Sequence, residues 1–415
     1  MSYRKGRKIR RRGPSVFSRS GRRKAMLKKI GTYLLALLLI PAGFFSAKFI
    51  LENFRKPAPP SSSTVSTITT SAPTSTTNPP PADPADSGGT LRAIYIPISK
   101  LANPETVDTL LNSASSAGFN AVVFDLKSAD GVLHYQSSTP FAQQAKAADQ
   151  NALTADQLKS LINRLKGKGF AAIPRVFAFR DPLSPRNLPT AKITLEKYPT
   201  YTWLDNSKEK GGKPWLNPYA PDAHSYIRGI VLELEQTGFS TIMLDGVQFP
   251  DQTSQAYYGT SELTSLSKLN VLKKFVGDIK SSLKENTRLI LTMPGLSAFG
   301  TKTEQFGGNP VTLGADIAAP VLMPSTLGSR LKAGDNLLVN PALVPYDAVK
   351  LAAGQISLRL ELMPESERPA LMPWLQSYDY SVSQIEEQIN AATETLGDDA
   401  SYILYNPDGN YRFSQ

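Results

Sequence analysis

Eight short runs rich in β-branched and aromatic residues recur between positions 92 and 407, and no other feature of the chain limits its fold as much. They span 92–97, 121–127, 170–179, 241–249, 288–294, 317–324, 370–376 and 402–407. Longer segments separate them, and six of these carry the 3.6-residue period of an amphipathic helix, over 104–117, 154–168, 221–237, 261–283, 346–360 and 381–396. Gly118, Gly167, Gly169, Gly238 and Gly397 stand where such helices must end in a left-handed residue. Strands alternating with helices imply parallel strands joined by crossovers. An open doubly wound sheet would alternate too, but here nearly every strand ends in polar residues. The sequence therefore predicts an α/β fold of the (β/α)8 TIM-barrel type over 91–415. The interval between the fifth and sixth strands is Gly-rich and weakly helical, and the final helix is expected to be missing or replaced.

Upstream of the first strand the chain changes character. Residues 1–56 hold 16 Lys and Arg and one acid, Glu52, whereas 57–415 hold 30 Lys and Arg and 34 acids. The net charge of +11 thus belongs to the N-terminal segment. The rest is mildly acidic and offers no basic groove for nucleic acid. Residues 30–47 are 18 uncharged and mostly apolar positions, the short end of a membrane-crossing helix, which Lys48 can extend by snorkelling. With 13 basic residues and no acid in 1–29, the positive-inside rule keeps that end in the cytoplasm. A cleaved signal peptide shares this layout. The length of the apolar run and the large Phe45 in Phe45-Ser46-Ala47 favour an uncleaved anchor. Ser, Thr and Pro dominate 51–90, with too few large apolar residues to bury a core. The expected organisation is a basic cytoplasmic tail (1–29), a transmembrane signal-anchor (30–50), a disordered linker (51–90) and an extracellular barrel (91–415), a single-pass protein of the cell membrane.

The chain has no Cys, which excludes disulfides, thiolate nucleophiles and Cys-ligated metals. His134 and His224 are too few for a multi-histidine centre, and no cofactor or metal is called for. Barrel enzymes carry their working groups at the C-terminal strand ends. Asp125 and Lys127 lie there on the second strand, Arg175 on the third, Asp245 and Gln248 on the fourth, Trp374 and Gln376 on the seventh and Asn406 on the eighth. Asp245 interrupts an apolar strand just before Phe249-Pro250 and is the foremost candidate for chemistry; a structural aspartate paired with Arg175 or Lys127 is the alternative. Lys127 lies two residues beyond Asp125, so the two could simply pair on one face. Trp374, Tyr378 and Trp215 are candidates for stacking on a ligand ring, or for the core. Asp130-Gly131 and Asp408-Gly409 read as turns.

Six blocks, NAVVFDLKSADGVLHY, IPRVFAFRDPL, PWLNPYAPDAHSY, GFSTIMLDGVQFP, MPWLQSYDYS and YILYNPDGNY, follow in the same order as in a glycoside hydrolase family of bacterial (β/α)8-barrel domains related to the α-amylase-like glycosidases. The resemblance covers about 91–411. It implies a carbohydrate-active barrel with Asp245 at a nucleophile-like position, with Asp125, Lys127, Arg175, Gln248, Trp374, Gln376 and Asn406 around a polysaccharide or glycan. The chain departs from the family pattern in four blocks. TMPGLSAFG has no acid, PWLNPY has Asn217 in place of Asp, the fourth strand has Gly246 and Gln248 in place of Tyr and Arg, and VLMPSTL has Met323 and Thr326 in place of Tyr and His. The departures leave the proton donor unassigned. Two expectations follow: a glycosidase of the cell surface, or an inactive barrel that binds glycan or a protein partner.

Overall fold

In the computed structural model, residues 89–413 are described, apart from 252, 261 and 262. The expected tail, anchor and nearly all of the linker lie outside the described residues. Among the described residues, no helix is long and apolar enough to cross a membrane.

All eight expected strands form: β1 (Arg92–Tyr95), β2 (Ala121–Lys127), β3 (Ala171–Phe177), β4 (Thr241–Asp245), β5 (Arg288–Pro294), β6 (Ile317–Val321), β7 (Trp374–Gln376, preceded by the short piece Ala370–Leu371) and β8 (Tyr402–Tyr405). Each pairs in parallel with its neighbours. The ring closes where β1 lies between β8 (Arg92 opposite Tyr402) and β2 (Ala93 opposite Ala121). The helices labelled here are α1 (Pro104–Ser116), α2 (Ala155–Gly167), α3 (Pro221–Thr237), α4 (Ser265–Lys280), the five-residue α5 (Gly295–Phe299), α6 (Pro345–Glu361) and α7 (Val382–Leu396); two further short helices, Ile98–Leu101 and Pro140–Ala145, lie in the β1–α1 and β2–α2 connections. Thr154, Thr264 and Ser381 start α2, α4 and α7 with reciprocal capping boxes, which satisfy otherwise orphaned amides.

Successive strand residues point to opposite faces, so each strand serves two cores. Ala93, Val123, Ile173, Met243, Ile290, Ala319, Met372 and Ile403 fill the barrel interior. Ile94, Phe124, Leu244, Leu291, Leu375 and Leu404 face outward against helix stripes such as Leu158, Ile162 and Leu165 of α2 and Ile227, Ile230 and Leu234 of α3.

No helix follows β8 among the described residues. Phe413 instead packs on Phe119, and the Tyr411 hydroxyl sits on the β1–β8 seam. That hydroxyl accepts the Tyr95 and Asn406 amides (3.1 Å each) and donates to the Tyr95 carbonyl at 2.6 Å, with the Leu404 carbonyl at 3.0 Å.

Smaller elements decorate the C-terminal face. Leu133–Tyr135 pairs antiparallel with the end of β2 and parallel with Ala148–Leu153, and Arg330–Ala333 forms a hairpin with Asn336–Val339. These were not expected from the sequence: their alternation is too short to separate from loop.

Candidate active site

The interior parity of each strand, carried one step past the apolar layers, yields a ring of eight side chains at the C-terminal mouth. They are Tyr95, Asp125, Arg175, Asp245, Thr292, Val321, Trp374 and Tyr405, one from each strand. Except for Tyr95, all line one cavity of about 400 Å³.

Arg175 organises the ring. Its Nε and Nη2 contact the two Asp125 oxygens at 2.6 and 3.1 Å, and its Nη1 reaches Asp245 Oδ2 at 3.5 Å. The guanidinium carbon lies 4.9 to 5.3 Å from the ring centres of Phe177, Trp374 and Tyr95. Aromatic faces attract a cation placed over them. Burial opposes the Arg175 charge, but Asp125 and then Asp245 more than offset this and raise its pKa. Asp125 also accepts the Tyr95 hydroxyl at 3.0 Å.

Asp245 is held more loosely. Apart from Arg175, its partner is the Gly246 amide, 2.6 Å from Oδ1. Gly246 has φ of +63°, a conformation open to glycine at little cost. Burial raises the Asp245 pKa above the ordinary carboxylate range, against the opposing pull of Arg175 and the Gly246 amide, and the charge of nearby Asp125 raises it further.

Of the eight residues expected at the site, Asp125, Arg175, Asp245 and Trp374 meet in the mouth. Gln248 lines an adjoining cavity of about 460 Å³ that shares Asp245, Thr292 and Val321 with the mouth. Asn406 lines a third cavity over the ends of β7 and β8 and takes the Asp408 amide in its turn.

Lys127 and Gln376 are displaced from the expectation. A register shift between Asp125 and Lys127 inserts an extra residue in β2 and turns Lys127 out of the mouth. It is completely buried, 2.8 Å from Asp181 Oδ2 and 2.8 Å from the Phe177 carbonyl, with the Tyr226 ring of α3 beside it. Burial lowers its pKa, opposed by Asp181. Asp181 in turn leaves no room for a side chain at Gly131, where a Cβ would lie 2.1 Å from Asp181 Oδ1. Asp125 accordingly pairs with Arg175, not Lys127. Gln376 is buried because loops close over it; its amide oxygen takes the Ser325 N–H and its amide nitrogen reaches the Tyr378 carbonyl. The stacking trio separates as well. Trp374 lines the mouth beneath Arg175 and donates to Thr292, Trp215 donates to Asp205 away from the mouth, and Tyr378 lies on the rim.

Several mouth residues escaped the sequence reading. Tyr95 and Tyr405 stand two places beyond Ala93 and Ile403, so strand parity alone would have found them. Asp251, Lys302 and Glu304 line the adjoining cavity with Asp245. Glu304 lies four residues past the block 292–300, which lacks an acid, so a search confined to that block misses it.

A closed (β/α)8 barrel with carboxylates gathered at its C-terminal mouth defines the class of this domain. The chain belongs to the family described as "putative glycosyl hydrolase domain", whose sequence profile matches residues 93–411. Solved structures similar to it in fold include a hypothetical protein from Ruminiclostridium thermocellum (21% identity, TM-score 0.42, covering 48% of this chain and 96% of that one). Another is Eubacterium rectale Amy13B (12% identity, TM-score 0.48, 77% of this chain and 66% of that one). A third is the glycoside hydrolase domain of PelA from Pseudomonas aeruginosa (13% identity, TM-score 0.41, 78% and 97%). No curated protein matches the chain.

Proposed function

We propose that this chain is a membrane-anchored, extracytoplasmic glycoside hydrolase acting on an envelope polysaccharide or other glycan. The observation that carries the reading is the placement of two carboxylates, Asp125 and Asp245, on one guanidinium at the mouth of a barrel of this family. Glycosidic cleavage usually needs one carboxyl group as proton donor and another as nucleophile or base. Asp245 suits the nucleophile, since its charge is partly uncompensated and its carboxylate borders open space. Asp125, tied down by Arg175 and Tyr95, positions the cation that steadies Asp245. Asp251 and Glu304, exposed and sharing a cavity with Asp245, are the available proton donors. Anchoring and export rest on the basic run of 1–29 followed by the apolar run of 30–47.

Asp245→Asn should lower turnover by roughly four to six orders of magnitude, the range for removing one member of a catalytic unit, while glycan binding survives. Unchanged turnover removes Asp245 from the chemistry. A second reading, an inert glycan-binding barrel, is favoured by one feature: Arg175 stands between the carboxylates and fills part of the mouth. Binding that persists in Asp245→Asn, with no hydrolysis by either protein, would select that reading.

A further inference from the structure

β4 and β5 run side by side with Leu244 opposite Leu291, so the next residues, Asp245 and Thr292, are neighbours in the mouth. Both line the central cavity and the one of about 460 Å³ that adjoins it. Thr292 is only 5% exposed, and one side of its hydroxyl is committed, since Trp374 Nε1 lies 3.2 Å from Thr292 Oγ1. An indole nitrogen can only donate, so Thr292 accepts there and its own proton points elsewhere. Among the described residues, nothing accepts that proton. The indole is itself held on two sides. The Arg175 guanidinium carbon lies 5.0 Å from its ring centre, and the Tyr405 ring meets it edge-on at 5.6 Å. A buried ring fixed in this way fixes the hydroxyl that it bonds, and leaves the Thr292 proton to the space that Asp245 borders.

Ser297 adds a second group of this kind. It stands on α5, which follows β5 directly, is 2% exposed, and lines the cavity of about 460 Å³. Its hydroxyl has no partner among the described residues. Buried hydroxyls are nearly always paired, and a sugar, which carries hydroxyls that both donate and accept, supplies the missing partner.

We propose that Thr292 donates a hydrogen bond to the sugar hydroxyl beside the carbon that Asp245 attacks, that Ser297 binds another hydroxyl of the same sugar, and that Trp374 is a positioning residue acting through Thr292. This deepens the glycosidase reading above and rests on it. A bond to the hydroxyl beside the reacting carbon tightens in the transition state, so Thr292 acts on kcat. Ser297 holds the sugar alike before and during reaction, so it acts on KM.

The test uses the full-length chain in detergent with amylose, laminarin, chitin, xylan and polygalacturonate, followed by the release of reducing ends. On the accepted polymer, Thr292→Val should lower kcat about a hundredfold and change KM less than about threefold, whereas Thr292→Ser, which keeps the hydroxyl, should stay within about threefold of the unaltered chain. Ser297→Ala should raise KM about tenfold with kcat kept, the scale of one lost hydrogen bond. Trp374→Phe leaves the Thr292 hydroxyl present but free to turn, and should lower kcat less than about tenfold. A merely structural bond between Trp374 and Thr292 predicts equal losses from Thr292→Val and Trp374→Phe, since each breaks it once, and that result overturns the assignment. So does a kcat unchanged in Thr292→Val, or one that falls as far in Thr292→Ser. An unchanged KM in Ser297→Ala removes Ser297 from the sugar. Hydrolysis of chitin alone, whose sugars carry an acetamido group beside the reacting carbon, overturns the hydroxyl contact and leaves a hydrolase. No turnover by the unaltered chain on any of the five polymers overturns the glycosidase reading, and this assignment with it.

Discussion

Arg175 holds Asp125 with two nitrogens and reaches toward Asp245 with a third, so the state of one carboxylate depends on a cation oriented by the other. Arg175 lowers the Asp245 pKa against the larger effect of burial. If Asp245 reacts as the carboxylate, kcat/KM rises with pH as Asp245 ionises, with its acidic limb above 3.8. Arg175→Gln removes a lowering influence and should move that limb to higher pH, which a pH–rate profile on the accepted polymer measures. A limb that stays in place means another group sets it. Lys127 and Asp181 make a different prediction. Lys127→Met strands the buried Asp181 carboxylate and should destabilise the domain by about 3–5 kcal/mol in denaturant titration. Adding Asp181→Asn should restore part of that loss. At this scale the sequence was legible where strand parity holds, which is why Asp125, Arg175, Asp245 and Trp374 coincide. It was illegible at Lys127, because a bulge is one inserted residue with no signature in a run as uniform as AVVFDLK.

Between residues and the whole, the loops after the strands decide what the mouth can admit, and their anchoring is local. Glu233 of α3 accepts the Tyr135 and Ser137 hydroxyls and both the amide and hydroxyl of Ser138, pinning the segment after the first mouth extension to the outer helix layer. Burial opposes its charge, but these donors prevail and lower its pKa below the ordinary 4.5. A lowered carboxylate pKa contributes stability that is complete above the unfolded value and is lost as the pH falls through the folded one. Glu233→Gln should therefore flatten the decline of stability below pH 4.5, as followed by thermal unfolding across an acid series. An unchanged decline would assign it to other carboxylates. Helices α2, α4 and α7 were legible because each joins an apolar stripe to a Thr or Ser cap. The short added strands were not, since strands of three to six residues gain their order from pairing with β2 and with each other.

The barrel as a whole closes on a single seam, and the Tyr411 hydroxyl stands on it. Tyr411→Phe keeps the ring that stacks on Phe413 and deletes the hydroxyl shared by Tyr95 and Asn406. Two amides then lose their acceptor, a loss of about 2–4 kcal/mol if both stay buried. Hydrogen exchange should show the loss concentrated in β1 and β8, and an even loss over all strands would mean that the seam is not the weak line. The role of Tyr411 was not legible in the sequence, because one hydroxyl serving two strands so far apart in the chain leaves no periodic trace. The seam also governs timing. Arg92 finds its partner only when Tyr402 exists, and contacts so distant along the chain form late. Tyr95 and Tyr405 face each other across that join, with ring centres 5.0 Å apart. A chain emerging from its N-terminus thus has no closed mouth until β8 has been made, so the residues of the ring face one another only once that strand has arrived.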